Sequence, residues 1–356
     1  MTENLELYKK YKPRRWEDMV GQEKVIESLR KDVLNGPDKI PTGFVFGGKP
    51  GTGKTSSAFI FAKAINCEHP TEDGNPCNEC KTCKSIDSQV CPGVHYISMA
   101  NNGGVEDVRR IVNDARVSQP IKKQIFILDE PQNISNSAFD AFLTPLESET
   151  MKSTFIFCTT EPEKIRQAVL SRCQVRNFRD VSNKDLGNHL IKISEKEGWL
   201  DKENPENSII TPSIIRDILD VSDGSVRNAI GNLQSFISTG IVSTGSTEEI
   251  LEALLDRKPI ALYNISSKMQ ENGESYAASL GRMYKIFLGA LIKSTSKENK
   301  KITKIEDKII KKLKPMQILA ILDILGNASI LMTNKVVDYK IIYETHLMKI
   351  LMKIPK

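Results

Sequence analysis

Eight consecutive residues, Gly48-Lys49-Pro50-Gly51-Thr52-Gly53-Lys54-Thr55, constrain this chain more than any others. They fit the pattern G-x-x-x-x-G-K-[ST] and stand where that pattern carries meaning. The apolar run Gly43-Phe44-Val45-Phe46-Gly47 precedes them, and a helical stretch from Lys54 to Asn66 follows. A strand feeding such a turn into a helix brings backbone N–H groups to one point and adds the positive end of the helix dipole. Lys54 can then reach β- and γ-phosphates, and Thr55 can offer its hydroxyl to Mg2+. The expected phosphate-binding set is Gly48, Pro50, Gly51, Thr52, Gly53, Lys54, Thr55 and Ser56. A chance glycine-rich turn is the competing reading, and the strand-then-helix context weighs against it.

The alternation continues downstream. His95–Met99, Gln124–Leu128 and Ser153–Thr160 read as strands, and Val105–Val117 reads as a helix with Val105, Val108, Ile111, Val112 and Ala115 on one face. Strands alternating with helices predict an α/β fold with a parallel sheet covered on both faces. Asp129-Glu130 closes the second of these strands, at the edge where open parallel sheets place ligands. Asp129 suits the metal of a bound nucleotide, and Glu130 suits orienting and deprotonating a water. An acidic pair at a strand end is, in isolation, more often a solvated turn; the phosphate loop upstream tips the reading. Thr160, ending the next strand, could bond a γ-phosphate or that water, against the plainer reading of an ordinary strand-end threonine.

Beyond Asp180 the strand-like runs stop. Lys184–Gly198, Thr211–Val221 and Ser225–Thr239 read as three short helices, and everything from Ser246 onward again reads as helical. The expected division is therefore 1–180, 181–242 and 243–356, in keeping with two or three domains for 356 residues.

Cysteine is the other informative residue type. Four of the seven cysteines, Cys67, Cys77, Cys80 and Cys83, crowd into a short insertion whose tight C-x-x-C pairs suit a closed tetrahedral zinc site. Redox chemistry is the alternative, and Cys91 is spare. No apolar run approaches the 18 or so residues of a membrane span, and the first twelve residues are too polar for a secretory signal, so the expected location is cytoplasmic. The balance of 50 Lys+Arg against 45 Asp+Glu is too mild to argue for nucleic acid by itself. A local basic face, with Arg109, Arg110 and Arg116 on one predicted helix, remains compatible with phosphate tracking. The nine lysines from Lys293 to Lys314 read rather as a solvated face.

Taken in order, Tyr11-Lys12-Pro13, Val20-Gly21-Gln22-Glu23, the phosphate loop, Asp129-Glu130, Thr159-Thr160-Glu161-Pro162, Ser171-Arg172-Cys173 and Gly224-Ser225-Val226-Arg227 resemble the motifs of the AAA+ clamp-loader ATPases, most closely the bacterial gamma/tau group. The resemblance covers roughly residues 5–240. It implies a AAA+ nucleotide domain over 1–180 with a zinc module at 67–91, a helical lid over 181–242 and an all-helical collar over 243–356. It implies that Arg172 reaches a neighbouring subunit's ATP as a finger and that Arg227 senses the γ-phosphate from the lid. It further implies ATP, Mg2+ and Zn2+ as cofactors, and partner subunits in a hetero-oligomeric ring, a pentamer. A sliding clamp opened and placed on primer–template DNA completes the picture, with a nucleoid or phage-host setting for a short gamma-like form. A AAA+ motor for branch migration and a nucleotide-binding scaffold without turnover are the rivals. The chain departs from the group's pattern at Pro131 and Gln132, where Asp-Glu-x-His is usual, at Pro145 and at Asn228.

Overall fold

The computed structural model describes residues 6–355 apart from 149, 202, 205, 207, 241–245, 272–275, 296–302 and 333–337. Contacts group the chain into two units, Met1–Val242 and Ser243–Lys356.

The first unit is built on five strands, β1 (Gly43–Gly47), β2 (Val94–Ser98), β3 (Ile125–Asp129), β4 (Thr154–Thr159) and β5 (Gln174–Asn177). They run parallel in the order β2-β3-β4-β1-β5. Every residue of β1 and β4 is buried. Such continuous apolar runs are what a parallel sheet covered on both faces requires. One face carries α1 (Glu23–Leu34) and α2 (Lys54–Asn66), whose Leu29, Ile60 and Phe61 pack with Phe44, Phe46 and Ile125. The insertion after α2 contains a short helix, α3 (Lys81–Asp87), which the cysteine spacing did not predict. The other face carries α4 (Val105–Asp114), whose Val108, Ile111 and Val112 meet Val45, Phe126, Phe155 and Phe157.

Strand β5 is absent from the sequence reading. It lies at the sheet edge, and only Val175 among Gln174, Val175, Arg176 and Asn177 is apolar, so no hydrophobic run announces it. Pro145 falls within the first turn of the short helix Leu143–Glu147. That helix follows directly on the 3-10 turn Asp140–Phe142, so the proline sits where the helical run changes its hydrogen-bond pattern.

Three helices close the first unit: α5 (Asn183–Lys196), α6 (Pro212–Ser222) and α7 (Val226–Thr239). They share a small core of Leu186, Leu190, Ile218, Ile230 and Leu233. Leu7 joins this core from a single helical turn, Leu7–Lys10.

The second unit is helical throughout its described residues: α8 (Ser246–Leu255), α9 (Pro259–Glu271), α10 (Tyr276–Thr295), α11 (Lys304–Lys312), α12 (Pro315–Leu331) and α13 (Tyr339–Lys353). Leu254, Met283, Phe287, Ile321, Leu325 and Tyr343 form the centre of its core. The lysine-rich stretch is partly spoken for: Lys293 pairs with Glu306, Lys308 with Glu252, and Lys311 with Asp307. Lys297, Lys300 and Lys301 lie outside the described residues.

Phe157 is fully buried in β4, edge-on to Phe142 at 5.2 Å between ring centroids. Phe157→Ala is expected to cost the first unit about 3–5 kcal/mol through lost transfer energy and the cavity left behind. Both tryptophans, Trp16 and Trp199, lie in this unit. Denaturant unfolding followed by tryptophan fluorescence therefore reads the loss directly.

Candidate nucleotide-binding site

Strand register decides where the chemistry gathers. Gly47 stands opposite Thr159, Cys158 opposite Asp129, and Asp129 opposite Ser98, so the C-terminal ends of β1, β4, β3 and β2 come level along one edge. The loop leaving β1 is tied to that edge, because the Gly48 N–H donates to Thr159 O at 3.2 Å. Gly48, Gly51 and Gly53 all adopt positive φ, which lets the loop curl back on itself. Gly51 has no room for a side chain either, since a Cβ there would lie 2.0 Å from Ser225 Oγ.

Lys54 opens α2 inside this curl and is 7% exposed. Its ammonium donates to Gly48 O at 2.7 Å and Lys49 O at 2.8 Å. Burial pulls it below its ordinary pKa, while Cys158 and Asp129 push it back up. Thr52 Oγ1 donates to Lys49 O, fixing the turn from within.

The three-helix segment docks onto the loop through its backbone: the Val226 N–H donates to Gly51 O at 3.1 Å. Between them lies a cleft lined by both polar and apolar residues. Gly53, Lys54 and Thr55 supply polar groups; Tyr11, Val20, Val226 and Ile230 supply apolar surface. That division suits a ligand with a flat base and a charged tail. Arg227 stands at the rim, with its guanidinium 4.9 Å from the Tyr8 ring centroid and a hydrogen bond to Tyr8 Oη at 3.0 Å.

The sequence-predicted residues thus fall into three places. Gly51, Thr52, Gly53, Lys54, Thr55, Ser56 and Arg227 line the cleft, with Gly48 and Pro50 in the same turn. Asp129, Glu130 and Thr160 stand beside it at the ends of β3 and β4. Arg172 is not brought to this cleft. Cys173 packs over Gly43, at the opposite end of β1, and Arg172 is held there by Glu147, with its Nε donating at 2.6 Å, and by Ala168 O. A five-residue strand separates the two ends by roughly 13 Å of backbone.

Several contributors escape sequence reading. Tyr8 and Ile230 belong to the cleft only because the N-terminal turn and α7 fold over it. Tyr96 on β2 donates through its hydroxyl to Asp129 Oδ2 at 2.6 Å, and burial followed by that carboxylate holds the phenol well above its usual pKa. The signal was the alternation of β2, which puts Tyr96 two residues before Ser98, the partner of Asp129.

The four cysteines also converge. The sulfurs of Cys67, Cys77, Cys80 and Cys83 all lie within 4.8 Å of one another. A tetrahedral ZnS4 centre with Zn–S near 2.3 Å places its sulfurs about 3.8 Å apart, so the set fits zinc. Amide N–H groups already point at the sulfurs: Cys77 toward Cys67, Cys80 toward Cys77, and Cys83 toward Cys80, at 3.3, 3.3 and 3.4 Å. Burial pushes the Cys77 thiol up, but the N–H groups of Cys80 and Glu79 and the neighbouring sulfurs more than offset it, bringing it down to about 6. Cys67 caps the C-terminus of α2, and the buried Lys63 bonds Asn78 of the cysteine loop at 2.6 Å and Asp87 of α3 at 2.9 Å. The cluster is thereby moored to the helix that begins at Lys54, about 20 Å away along its axis.

A parallel sheet in this order, a phosphate-loop cleft on its central edge and a helical segment hydrogen-bonded to that loop make a P-loop fold of the AAA+ type. In sequence the chain is gamma/tau-like. Residues 21–182 match the family described as DNA polymerase III, delta subunit. The chain is 32% identical over 305 residues to the DNA polymerase III subunit tau of Bacillus subtilis, covering 82% of this chain and 52% of that protein. It is 31% identical over 249 residues to the gamma/tau subunit of Mycoplasma pneumoniae, covering 68% of this chain and 34% of that one. The chain therefore spans about half or less of these relatives' length. Among solved structures, the RuvB Holliday junction branch migration motor of Thermotoga maritima aligns with a TM-score of 0.48 at 14% identity, covering 74% of this chain and 86% of that one.

Gly51→Ala is expected to drive Ser225 away from the loop and break the Val226-to-Gly51 hydrogen bond. The Val226 amide should then exchange with deuterium at least about tenfold faster, a change native-state hydrogen exchange resolves at that residue.

Proposed function

We propose that this chain is an ATPase subunit of a DNA-replication clamp loader, using ATP binding and hydrolysis to open a sliding clamp and place it on primer–template DNA. The observation that carries the reading is the Lys54 cleft with Asp129 and Glu130 at its border, in a chain about 30% identical to gamma/tau subunits.

The roles follow from position. The loop from Gly48 to Ser56 holds the phosphates, with Lys54 as the buried cation and the α2 N-terminus as the dipole. Tyr11, Val20 and Ile230 receive the base. Thr55 and Asp129 would hold Mg2+, which when bound neutralises phosphate charge. Glu130 takes a proton from the attacking water, Thr160 bonds the γ-phosphate or that water, and Arg227 follows the γ-phosphate from the lid. Arg172, at the far end of β1 from its own cleft, serves a neighbouring subunit's ATP. Its ion pair with Glu147 is the contact it must give up to do so.

Zn2+ in the Cys67, Cys77, Cys80 and Cys83 cluster has a structural role. Four sulfurs leave no open coordination position, and the site sits a helix length from the phosphates. We further propose 1–180 as the nucleotide domain, 181–242 as the lid and 243–356 as a collar in a hetero-oligomeric ring, a pentamer. Exposed Met316, Leu319 and Ile330 on α12, a helix apolar nearly all round, support burial in such an assembly. Arg109, Arg110 and Arg116, exposed on or just after α4 while Val108 and Val112 face the core, are the cations offered to the DNA backbone. No helix among the described residues is long and apolar enough to cross a membrane, in keeping with a replication protein of the cytoplasm or nucleoid, or of a phage-infected host.

Glu130→Gln keeps the shape but loses the basic carboxylate, so turnover should fall by about 10²- to 10⁴-fold with ATP still bound. A normal rate in steady-state hydrolysis assays would place the base elsewhere, and an equal loss of ATP affinity would refute the assignment. Arg172→Ala should leave ATP binding by the isolated chain intact while lowering hydrolysis by the assembly about 10³-fold or more. Weakened binding in the isolated chain would remove the role in trans. Cys80→Ser should lower the zinc content below one ion per chain by elemental analysis and make residues 67–83 more susceptible to protease, with ATP affinity largely kept.

A further inference from the structure

The turn after the acidic pair carries a glutamine, Gln132, whose amide bridges the two threonines at the end of β4. We propose that Gln132 is a positioning residue that fixes the Thr160 hydroxyl as a hydrogen-bond donor toward the reacting phosphate or water. The inference rests on the ATPase reading above and adds to it the element that directs one proton of the site.

The turn itself is firmly placed. Glu130 takes the left-handed conformation at φ 53°. Its N–H donates to Cys158 O at 3.1 Å, and its carbonyl accepts from the Asn133 N–H at 3.1 Å. Pro131, with its fixed φ, opens the 3-10 turn Pro131–Asn133. Gln132 is thereby presented to the end of β4, where both ends of its amide find partners. Thr159 Oγ1 donates to Gln132 Oε1 at 2.9 Å, and Gln132 Nε2 donates to Thr160 Oγ1 at 3.5 Å.

Hydrogen-bond counting gives this chain a direction. Thr159 is fully buried, and its oxygen already accepts the Glu161 N–H at 3.0 Å. Its single proton needs an acceptor, and the Gln132 carbonyl supplies one. With the amide oxygen committed to Thr159, the amide nitrogen must face Thr160. A hydroxyl carries one proton and two lone pairs. Having received a hydrogen bond from Gln132, Thr160 cannot spend its own proton there, so that proton remains for a phosphate or water oxygen at the strand end. Turning the amide over would leave the proton of the fully buried Thr159 facing an N–H group, without its acceptor. The order Glu161 to Thr159 to Gln132 to Thr160 therefore runs one way only.

The test uses the full chain in its native assembly, reading kcat for ATP hydrolysis, ATP affinity with a fluorescent analogue, and thermal melting. Thr160→Val should lower kcat on the order of 10²-fold, the usual loss of one donor to developing charge. Gln132→Glu offers Thr160 an acceptor in place of a donor and turns its proton away, so kcat should fall by a similar factor with ATP affinity kept within about threefold. In a Thr160→Val chain, Gln132→Glu should cause no further loss, because both act through one proton. Thr159→Val tests the direction without adding charge: it frees the amide to turn and should lower kcat roughly tenfold, whereas Thr159→Ser, keeping the hydroxyl, should restore the rate. Normal kcat in Gln132→Glu or Thr159→Val overturns the proposal, as does a further loss when Gln132→Glu is added to Thr160→Val. Should Thr159→Val melt early, Gln132→Glu and its double variant decide the matter alone. A wild-type chain with no hydrolysis sensitive to Lys54→Ala would instead sink the ATPase reading itself.

Discussion

A buried ammonium organises the first unit. Lys54 enters the interior at the first turn of a helix, where only 7% of its surface stays exposed and the carbonyls of its own helix run away from it. A cation so placed is costly unless oxygen atoms surround it. The loop answers by curling until Gly48 and Lys49 turn their carbonyls inward, which only positive-φ glycines permit. Asp129 adds a compensating charge from β3, and the sheet order puts that strand within reach by placing only β4 between it and β1. Loop shape, glycine positions and strand order are three answers to one electrostatic demand.

The same edge of the sheet explains why the lid docks where it does. A loop folded around a lysine leaves the Gly51 carbonyl pointing outward, and the Val226 N–H at the start of α7 meets it. That N–H is one of the four a helix cannot bond internally. Each partner therefore meets an unfilled requirement of the other, and Gly51 cannot gain a side chain without breaking the fit.

What could be read from the sequence follows the range of the interactions concerned. Strands β1, β3 and β4 announce themselves because burial on both faces makes Phe44–Phe46, Ile125–Leu128 and Phe155–Phe157 uniformly apolar. The four cysteines are legible because metal geometry imposes local spacing. Strand β5 is silent because an edge strand can be Gln-Val-Arg-Asn and still pair with β1. Tyr96 and Tyr8 were missed, and Gln132 stood out only as a departure from a motif, for a different reason: each acts across the sheet or across the cleft, and their partners are fixed by register and packing rather than by spacing. Arg172 was legible as a motif, yet its distance from its own cleft is a property of the three-dimensional strand and not of the motif.

Helix α2 serves two masters, since it begins at Lys54 and hands over to Cys67 at its other end. Its length is consequently a ruler. Each residue of an α-helix turns the chain by about 100° and advances it by about 1.5 Å. A single insertion anywhere along α2 would swing Cys67 round the helix and out of the cluster, or, if the cluster held firm, would wind Lys54 out of its ring of carbonyls. Lys63, pinned to Asn78 and Asp87 near the far end, shuts off the easy escape of local unwinding there. Substitutions on this helix can be absorbed one at a time, but a change of register cannot. Among chains built this way, the count of residues from the loop lysine to the first cysteine should vary far less than the residues themselves.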